Sequence, residues 1–229
     1  NLLDRWVDGD KERLAAFLAE VSETRGRVVG PIELIVESGE RRSTLECVGS
    51  NLMDDPAIAG LALNFRDVTE RKALEEQLRK LAFHDPLTLL ANRSLFWNRV
   101  EHALTLAHRS QQRVAVMFLD LDNFKNVNDS LGHDAGDRLL QAAAQRLVKS
   151  TRPSDTVARL GGDEFAILLE GIRSDMDVER IAVPITEAFN RPLLVDGRET
   201  DATASIGAAC SQPGDDAEQL LRKADIAMY

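Results

Sequence analysis

Four carboxylates stand in two short patterns where they could do phosphate chemistry. An apolar run at residues 114–119 leads into Asp120-Leu121-Asp122, and Asp163 and Glu164 directly follow Gly161-Gly162. That glycine pair separates two apolar stretches, at 156–160 and 165–169. A Gly-Gly pair there is a hairpin signal, because both turn residues can take positive φ. Carboxylate oxygens are hard ligands for a divalent cation, and a glycine backbone lets a phosphate approach closely. Asp120 and Asp122, two apart, share one side of the strand if it continues that far. Acids at the end of a buried strand are costly unless a cation or hydrogen bonds compensate them. Brought together, Asp120 and Asp163 would share Mg2+ ions, two of which can activate an attacking oxygen and stabilise the departing one. The spacing alone fits helix caps or surface charges at strand ends equally well.

These acids need a sheet to hold them, and from Asp85 onward helical and strand patterns alternate. Asn92 can cap a helix running to about His108, with Leu95, Val100, Leu104 and Ala107 inward. The unbroken apolar run at 114–119 predicts a strand buried on both faces. Residues 136–150 read as a helix through Leu139, Leu140, Ala143 and Leu147, and 176–189 as a helix kinked at Pro184. A strand at 202–209 and a final helix at 217–229 complete an α+β, mixed α/β domain with helices packed on a sheet.

Residues 1–69 read as a separate unit. A helical pattern at 11–21 (Leu14, Phe17, Leu18, Val21) precedes strand-like runs at 32–36, 43–48 and 58–65. Such a meander is too small to bury much by itself. Its ending, Asn64-Phe65-Arg66-Asp67-Val68-Thr69-Glu70-Arg71-Lys72, resembles the terminal signature of PAS sensor domains. The helix and three strands are similar to the second half of that fold, so a partial PAS-like antiparallel sheet is expected, one not expected to recognise its signal alone. No histidine precedes His84, which argues against a haem ligand in this portion. Residues 70–83 form the connector, where Leu74, Leu78 and Leu81 follow an a/d pattern. An ordinary amphipathic helix and a coiled coil both fit; beside a sensor-like module, a signalling helix is the expectation.

Composition narrows the partners. Lys plus Arg number 28 against 38 Asp plus Glu, a net charge of −10 that disfavours tracking a nucleic-acid backbone. Hydrophobic residues make up 44% of the chain, ample for a packed core. Cys47 and Cys210 are too few for a disulfide framework and lack metal-ligand spacing, so two reduced thiols are expected. No apolar run reaches the ~18–20 residues that span a bilayer, which predicts a cytoplasmic fragment without a membrane segment. The chain begins at Asn1 rather than Met, so an upstream region, membrane-tethered or not, is expected to have been removed.

The longer motifs carry a family resemblance. The stretch Phe118-Leu119-Asp120-Leu121-Asp122-Asn123-Phe124-Lys125-Asn126-Val127-Asn128-Asp129, then Gly132-His133-Asp134-Ala135-Gly136-Asp137, then Arg159-Leu160-Gly161-Gly162-Asp163-Glu164-Phe165 resemble the GGDEF domain of diguanylate cyclases. Thr203-Ala204-Ser205-Ile206-Gly207 and Ala224-Asp225-Ile226-Ala227-Met228-Tyr229 match later blocks of that family. The resemblance spans about residues 82–229 and implies a central, mostly antiparallel, nucleotide-cyclase-like sheet flanked by helices. It implies that two GTP condense to cyclic di-GMP with release of pyrophosphate, across a homodimer in which each 3′-hydroxyl attacks the partner's α-phosphorus. By the family pattern Asp120, the Leu121 carbonyl and Asp163 hold Mg2+ or Mn2+, Asp163 is also the candidate base, and Glu164 assists at the metal or ribose. Asn128 and Asp137 read guanine, whose N1 and N2 donors suit a carboxylate, while Phe124, Lys125 and nearby amides contact substrate. Without the family, Asn128 and Asp137 fit turn-forming and capping roles, and Lys125 a solvated charge. His133 is structural in the family and stays outside the catalytic set.

Arg152-Pro153-Ser154-Asp155 begins nine residues before Gly161, the RxxD spacing of the family's inhibitory product site. Arg152 would grip phosphate or guanine bidentately and Asp155 accept from guanine, although charged residues three apart also fit a weak surface pair. Three departures stand out. Leu89 and Ala91 replace the family's Gly and Pro in Asp85-Pro86-Leu87-Thr88-Leu89-Leu90-Ala91-Asn92-Arg93, where the loop is expected to shift. The family continues past the equivalent of Tyr229 with a lysine-bearing helix that neutralises triphosphate, so weaker GTP binding is expected of this chain. The sensor region is partial. The competing reading is a regulatory module that binds GTP or cyclic di-GMP and controls a downstream phosphodiesterase domain; a dimerisation scaffold without turnover is a weaker third.

Overall fold

The computed structural model of the protein describes residues 8–38, 41–110, 112–195, 198–200 and 203–228. The chain divides into two compact units, Asn1–Arg79 and Lys80–Tyr229.

In the first unit, helix α1 (Asp8–Glu23) packs on an antiparallel sheet of β1 (Val28–Ser38), β2 (Arg41–Leu52) and β3 (Gly60–Asp67). Leu14, Phe17 and Val21 project from one face of α1 at helical spacing and are buried with Leu34 and Cys47. The buried Asp10 carboxylate accepts the Ile35 N–H at 2.8 Å and pairs with Arg13, which satisfies its charge. The third strand starts at Gly60, later than the expected 58; Ile58 lies in a turn closed by its N–H on the Asp55 carbonyl and is exposed. Helix α2 (Thr69–Phe83) starts at a cap, where the Thr69 hydroxyl and N–H both donate to Asp67. None of its residues is buried, and Leu74, Leu78 and Leu81 are more than half exposed, at 55%, 57% and 68%.

The second unit is built on a four-stranded sheet. Its elements are α3 (Arg93–Ser110), β4 (Arg113–Leu121), α4 (Phe124–Leu131), α5 (His133–Ser150), β5 (Thr156–Gly161), β6 (Glu164–Ile172), α6 (Asp175–Phe189), β7 (Leu193–Val195), β8 (Arg198–Thr200), β9 (Ala204–Cys210) and α7 (Ala217–Met228). The sheet order is β5-β6-β4-β9 with every neighbouring pair antiparallel, while β7 and β8 form a separate small hairpin. Central β4 explains its own sequence. Val114 and Val116 point to α3 and α7, whereas Met117, Leu119 and Leu121 point to α5 and α6, so both faces are covered.

Two elements depart from the sequence expectation. Residues 124–131 form a helix although Asn and Asp there favour turns; Phe124 and Val127 pack on the core and hold it. Helix α5 starts at His133, one turn ahead of the expected 136. Pro184 lies inside α6.

Helix α7 lies directly on β9 at Gly207, where a Cβ would stand 2.6 Å from the Ala224 carbonyl oxygen and 2.6 Å from Met228 Cα. Both obstacles are backbone and cannot rotate away. Gly207→Ala should therefore destabilise the second unit by about 1–3 kcal/mol or more, read as a lower urea midpoint; an unchanged midpoint would show that α7 can lift at no cost.

Candidate active site

Asp120 is the penultimate residue of β4, opposite Glu164 of β6 and Ser205 of β9. Strand alternation puts Asp120 and Glu164 on the same face as Val116 and Phe118. Between β5 and β6 the turn Gly161-Gly162-Asp163 follows an irregular step in register after Arg159. Gly161 and Gly162 have φ of 149° and 54°, conformations that L side chains avoid, and no atom lies within 4 Å of either would-be Cβ. The turn is thus bare backbone with open space above it.

Arg159 pins this turn. Its Nε and Nη2 donate to the Gly162 carbonyl at 3.0 and 2.7 Å, and its Nη1 donates to both Asp85 carboxylate oxygens at 3.1 Å. Burial pushes the Asp85 carboxyl up, but donation from the Thr88 hydroxyl and N–H, together with Arg159, holds it below the usual carboxylate range. The Leu121 N–H reaches the Asp163 carbonyl at 3.4 Å, tying the turn to the end of β4. On the other side, Arg93 lies 3.5 Å from Glu164 and donates weakly to the Leu160 carbonyl at 3.4 Å.

Asp120 titrates above the ordinary carboxylate range, first because it is partly buried and then because Asp163, Glu164 and Asp122 repel its charge. Asp122 does not share this position. The strand ends at Leu121, and the Asp122 carboxylate turns to β9, accepting the Thr203 and Ser205 hydroxyls at 2.5 and 2.8 Å. Asp120 and Asp122 would share one side only had the strand continued past Leu121. Among the described residues no three His, Cys, Asp or Glu side chains form a preformed chelate. A cation here would rest on two carboxylates and a backbone carbonyl, the sparse set that Mg2+ takes when phosphates complete its shell. Burial and the repulsion of neighbouring carboxylates at Asp120 are penalties that such an ion would offset, so the donor set fits it.

Helix α4 leaves β4 through Asn123, which has φ 60° and makes no side-chain cap to the first turn of the helix. Asn128, on α4, lies against α5 at Gly136, the residue before Asp137. The contact depends on Gly136, where a Cβ would collide with the Asn128 Oδ1 and stand 3.2 Å from the Phe124 ring. Lys125 and Asp137 are exposed. Sequence reasoning passed over the bonding of Arg159, Asp85 and Arg93, although all three stand in the motifs quoted above; their partners lie 71 to 74 residues away.

Arg152 and Asp155 close a tight turn before β5, the Arg152 N–H donating to Asp155 Oδ2 and the Asp155 N–H to the Arg152 carbonyl, both at 3.0 Å. Burial raises the Asp155 carboxyl. The two residues line a cavity of about 470 Å³ together with Leu89, Arg99 and Val148. Leu89, where the family pattern has glycine, takes φ 60° and is 77% exposed. Ala91 keeps the loop on the sheet, its carbonyl accepting the Arg159 N–H at 2.9 Å.

Comparison with known proteins agrees with this geometry. Residues 82–229 match the family described as "Diguanylate cyclase, GGDEF domain". Over 155 residues the chain is 44% identical to the bifunctional diguanylate cyclase/cyclic di-GMP phosphodiesterase MucR of Pseudomonas aeruginosa, covering 67% of this chain and 22% of that protein. The GGDEF domain of TpbB from the same organism superposes with a TM-score of 0.61 at 44% identity, covering 64% of this chain and 86% of that structure. The coiled coil and GGDEF domain of DgcB from Caulobacter crescentus, in complex with c-di-GMP, gives 0.64 at 29% identity, covering 71% of this chain and 86% of that one. The chain thus spans about a fifth of MucR's length, and the shared part is the sheet that carries the glycine turn. With residues 82–229, well over half of the chain, matched to its model, the chain belongs to the GGDEF domain family of diguanylate cyclases.

Proposed function

We propose that this chain works as a diguanylate cyclase, joining two GTP into cyclic di-GMP with loss of two pyrophosphates. The observation that carries the reading is the meeting of Asp120, Asp163 and the Leu121 backbone at a turn with open space above it. In each of two domains one GTP lies with guanine between Asn128 and Asp137, where a carboxylate accepting from N1 and N2 discriminates against adenine. Lys125, Phe124 and the first amides of α4 take the phosphates. Asp120, the Leu121 carbonyl and Asp163, with Glu164 beside them, would hold Mg2+ or Mn2+, which supplies charge neutralisation at the phosphate oxygens. Asp163 is placed to take the proton of the 3′-hydroxyl as its oxygen bonds to the partner's α-phosphorus.

Pairing of two copies is supported by the exposed Leu74, Leu78 and Leu81 of α2. The helix and three strands of the first unit support a partial PAS-like sensor, and Arg152 with Asp155 a site where product inhibits. We place the reaction in the cytoplasm, where GTP is available; among the described residues no helix is long and apolar enough to cross a membrane. A second reading is favoured by the bifunctional relative MucR: a regulatory GGDEF module controlling a phosphodiesterase domain.

Incubation of the chain with GTP and Mg2+, followed by chromatography, is expected to yield cyclic di-GMP. A GTP-binding dimer that makes none, even as Arg152→Ala to relieve inhibition, would sink the enzyme reading and leave the regulatory one.

A further inference from the structure

The cavity at Arg152 and Asp155 contains a cation that the RxxD pattern does not include. Arg99 enters from α3, on a different element from the turn that carries the pattern, and lines the cavity with those two residues. Its Nη1 donates to the Thr156 hydroxyl at 3.1 Å, which holds the guanidinium at the start of β5. Among the described residues that partner is neutral, so the charge of Arg99 is not matched by a carboxylate. Leu89 and Val148 give the cavity apolar wall, and its volume of about 470 Å³ lies within the ~300–1,000 Å³ of small-molecule sites.

This combination suits a ligand with flat bases and more than one phosphodiester. Aliphatic side chains pack against a base face, Asp155 accepts from a guanine edge, and each guanidinium offers a planar fork to phosphate oxygens. A cyclic dinucleotide carries two phosphodiesters, and Arg152 alone matches one of them. We propose that Arg99 is the second guanidinium of this site and binds a phosphodiester of cyclic di-GMP, so that one chain supplies a cation for each phosphate. The proposal rests on reading Arg152 and Asp155 as the product site.

Isothermal titration of cyclic di-GMP into the full chain separates the two claims. Arg99→Ala is expected to weaken binding about 10- to 100-fold, as loss of a charge-assisted contact does. Arg99→Lys keeps the charge and should recover part of the loss. If Arg152→Ala abolishes binding while Arg99→Ala stays within twofold of the parent, Arg99 is outside the site and the inference fails alone. If Arg152→Ala binds as the parent does, the product-site reading fails beneath it.

Discussion

Asp120→Asn should lose about a thousandfold or more in turnover while making the metal-free protein harder to melt. Asparagine keeps the shape of the side chain and removes the charge. On the function proposed above, that charge would anchor a cation whose neutralising effect in phosphoryl-type transfer is worth several kcal/mol, and each ~1.4 kcal/mol is tenfold in rate. In the free protein the same charge is a liability. Burial and three neighbouring carboxylates raise the Asp120 carboxyl. For an acid raised on folding, the stabilising contribution belongs to the protonated form, is present at low pH and is lost as pH rises through the folded value. Ionised Asp120 stands against burial and the repulsion of its neighbours, and the neutral amide removes that strain. Thermal melting with and without Mg2+ reads both effects. The parent should gain stability with the ion, by preferential binding to the folded state, and the variant should not. A variant that melts earlier without metal, or turns over within tenfold of the parent, would overturn the assignment.

Gly136→Ala should raise the KM for GTP about a hundredfold, with a smaller effect on stability. Two effects oppose each other at this position in α5. Alanine is the better helix former by roughly 0.5–1 kcal/mol, but its Cβ would be driven into the Asn128 amide oxygen and toward the Phe124 ring. Overpacking of a buried site costs about 1–3 kcal/mol, so the clash wins. The cheapest relief is for Asn128 to swing away, since its side chain can rotate and the backbone of α5 cannot. A guanine contact is lost with it, and two hydrogen bonds at about 1.4 kcal/mol each amount to a factor of a hundred. Steady-state kinetics with GTP and ATP checks this: the preference for GTP should narrow. An unchanged KM would mean that Asn128 does not touch the base.

Much of the scaffold was legible because its signals are local. The unbroken apolar run before Asp120 announced a strand covered on both faces, and β4 is that strand. The glycine pair between two apolar runs announced the hairpin, and Asn92 caps α3 as expected, its side chain accepting the Leu95 N–H. Features that depend on distant partners were not legible. Helix α4 is Asn- and Asp-rich, and only packing of Phe124 and Val127 against the core makes it a helix. Asp122 looked equivalent to Asp120 until β9 arrived with two hydroxyls. Arg99 is one polar residue among many on a helix surface, and its place beside Arg152 follows from the start of β5, 57 residues on.

The anchoring of the glycine turn reaches further than the hairpin. The Asn92 side chain donates to the Ala82 carbonyl and its N–H to Phe83, while the Asp85 N–H bonds Leu90. Asp85 then receives Arg159, whose other donors grip Gly162. Residues 82 and 83 at the start of the second unit, the 85–92 loop and the bare turn are therefore stitched into one hydrogen-bonded seam. Such a seam opens as a cooperative unit rather than residue by residue. The point where the chain enters this unit and the glycine turn are thus joined by one run of hydrogen bonds, so that loosening either breaks bonds that brace the other.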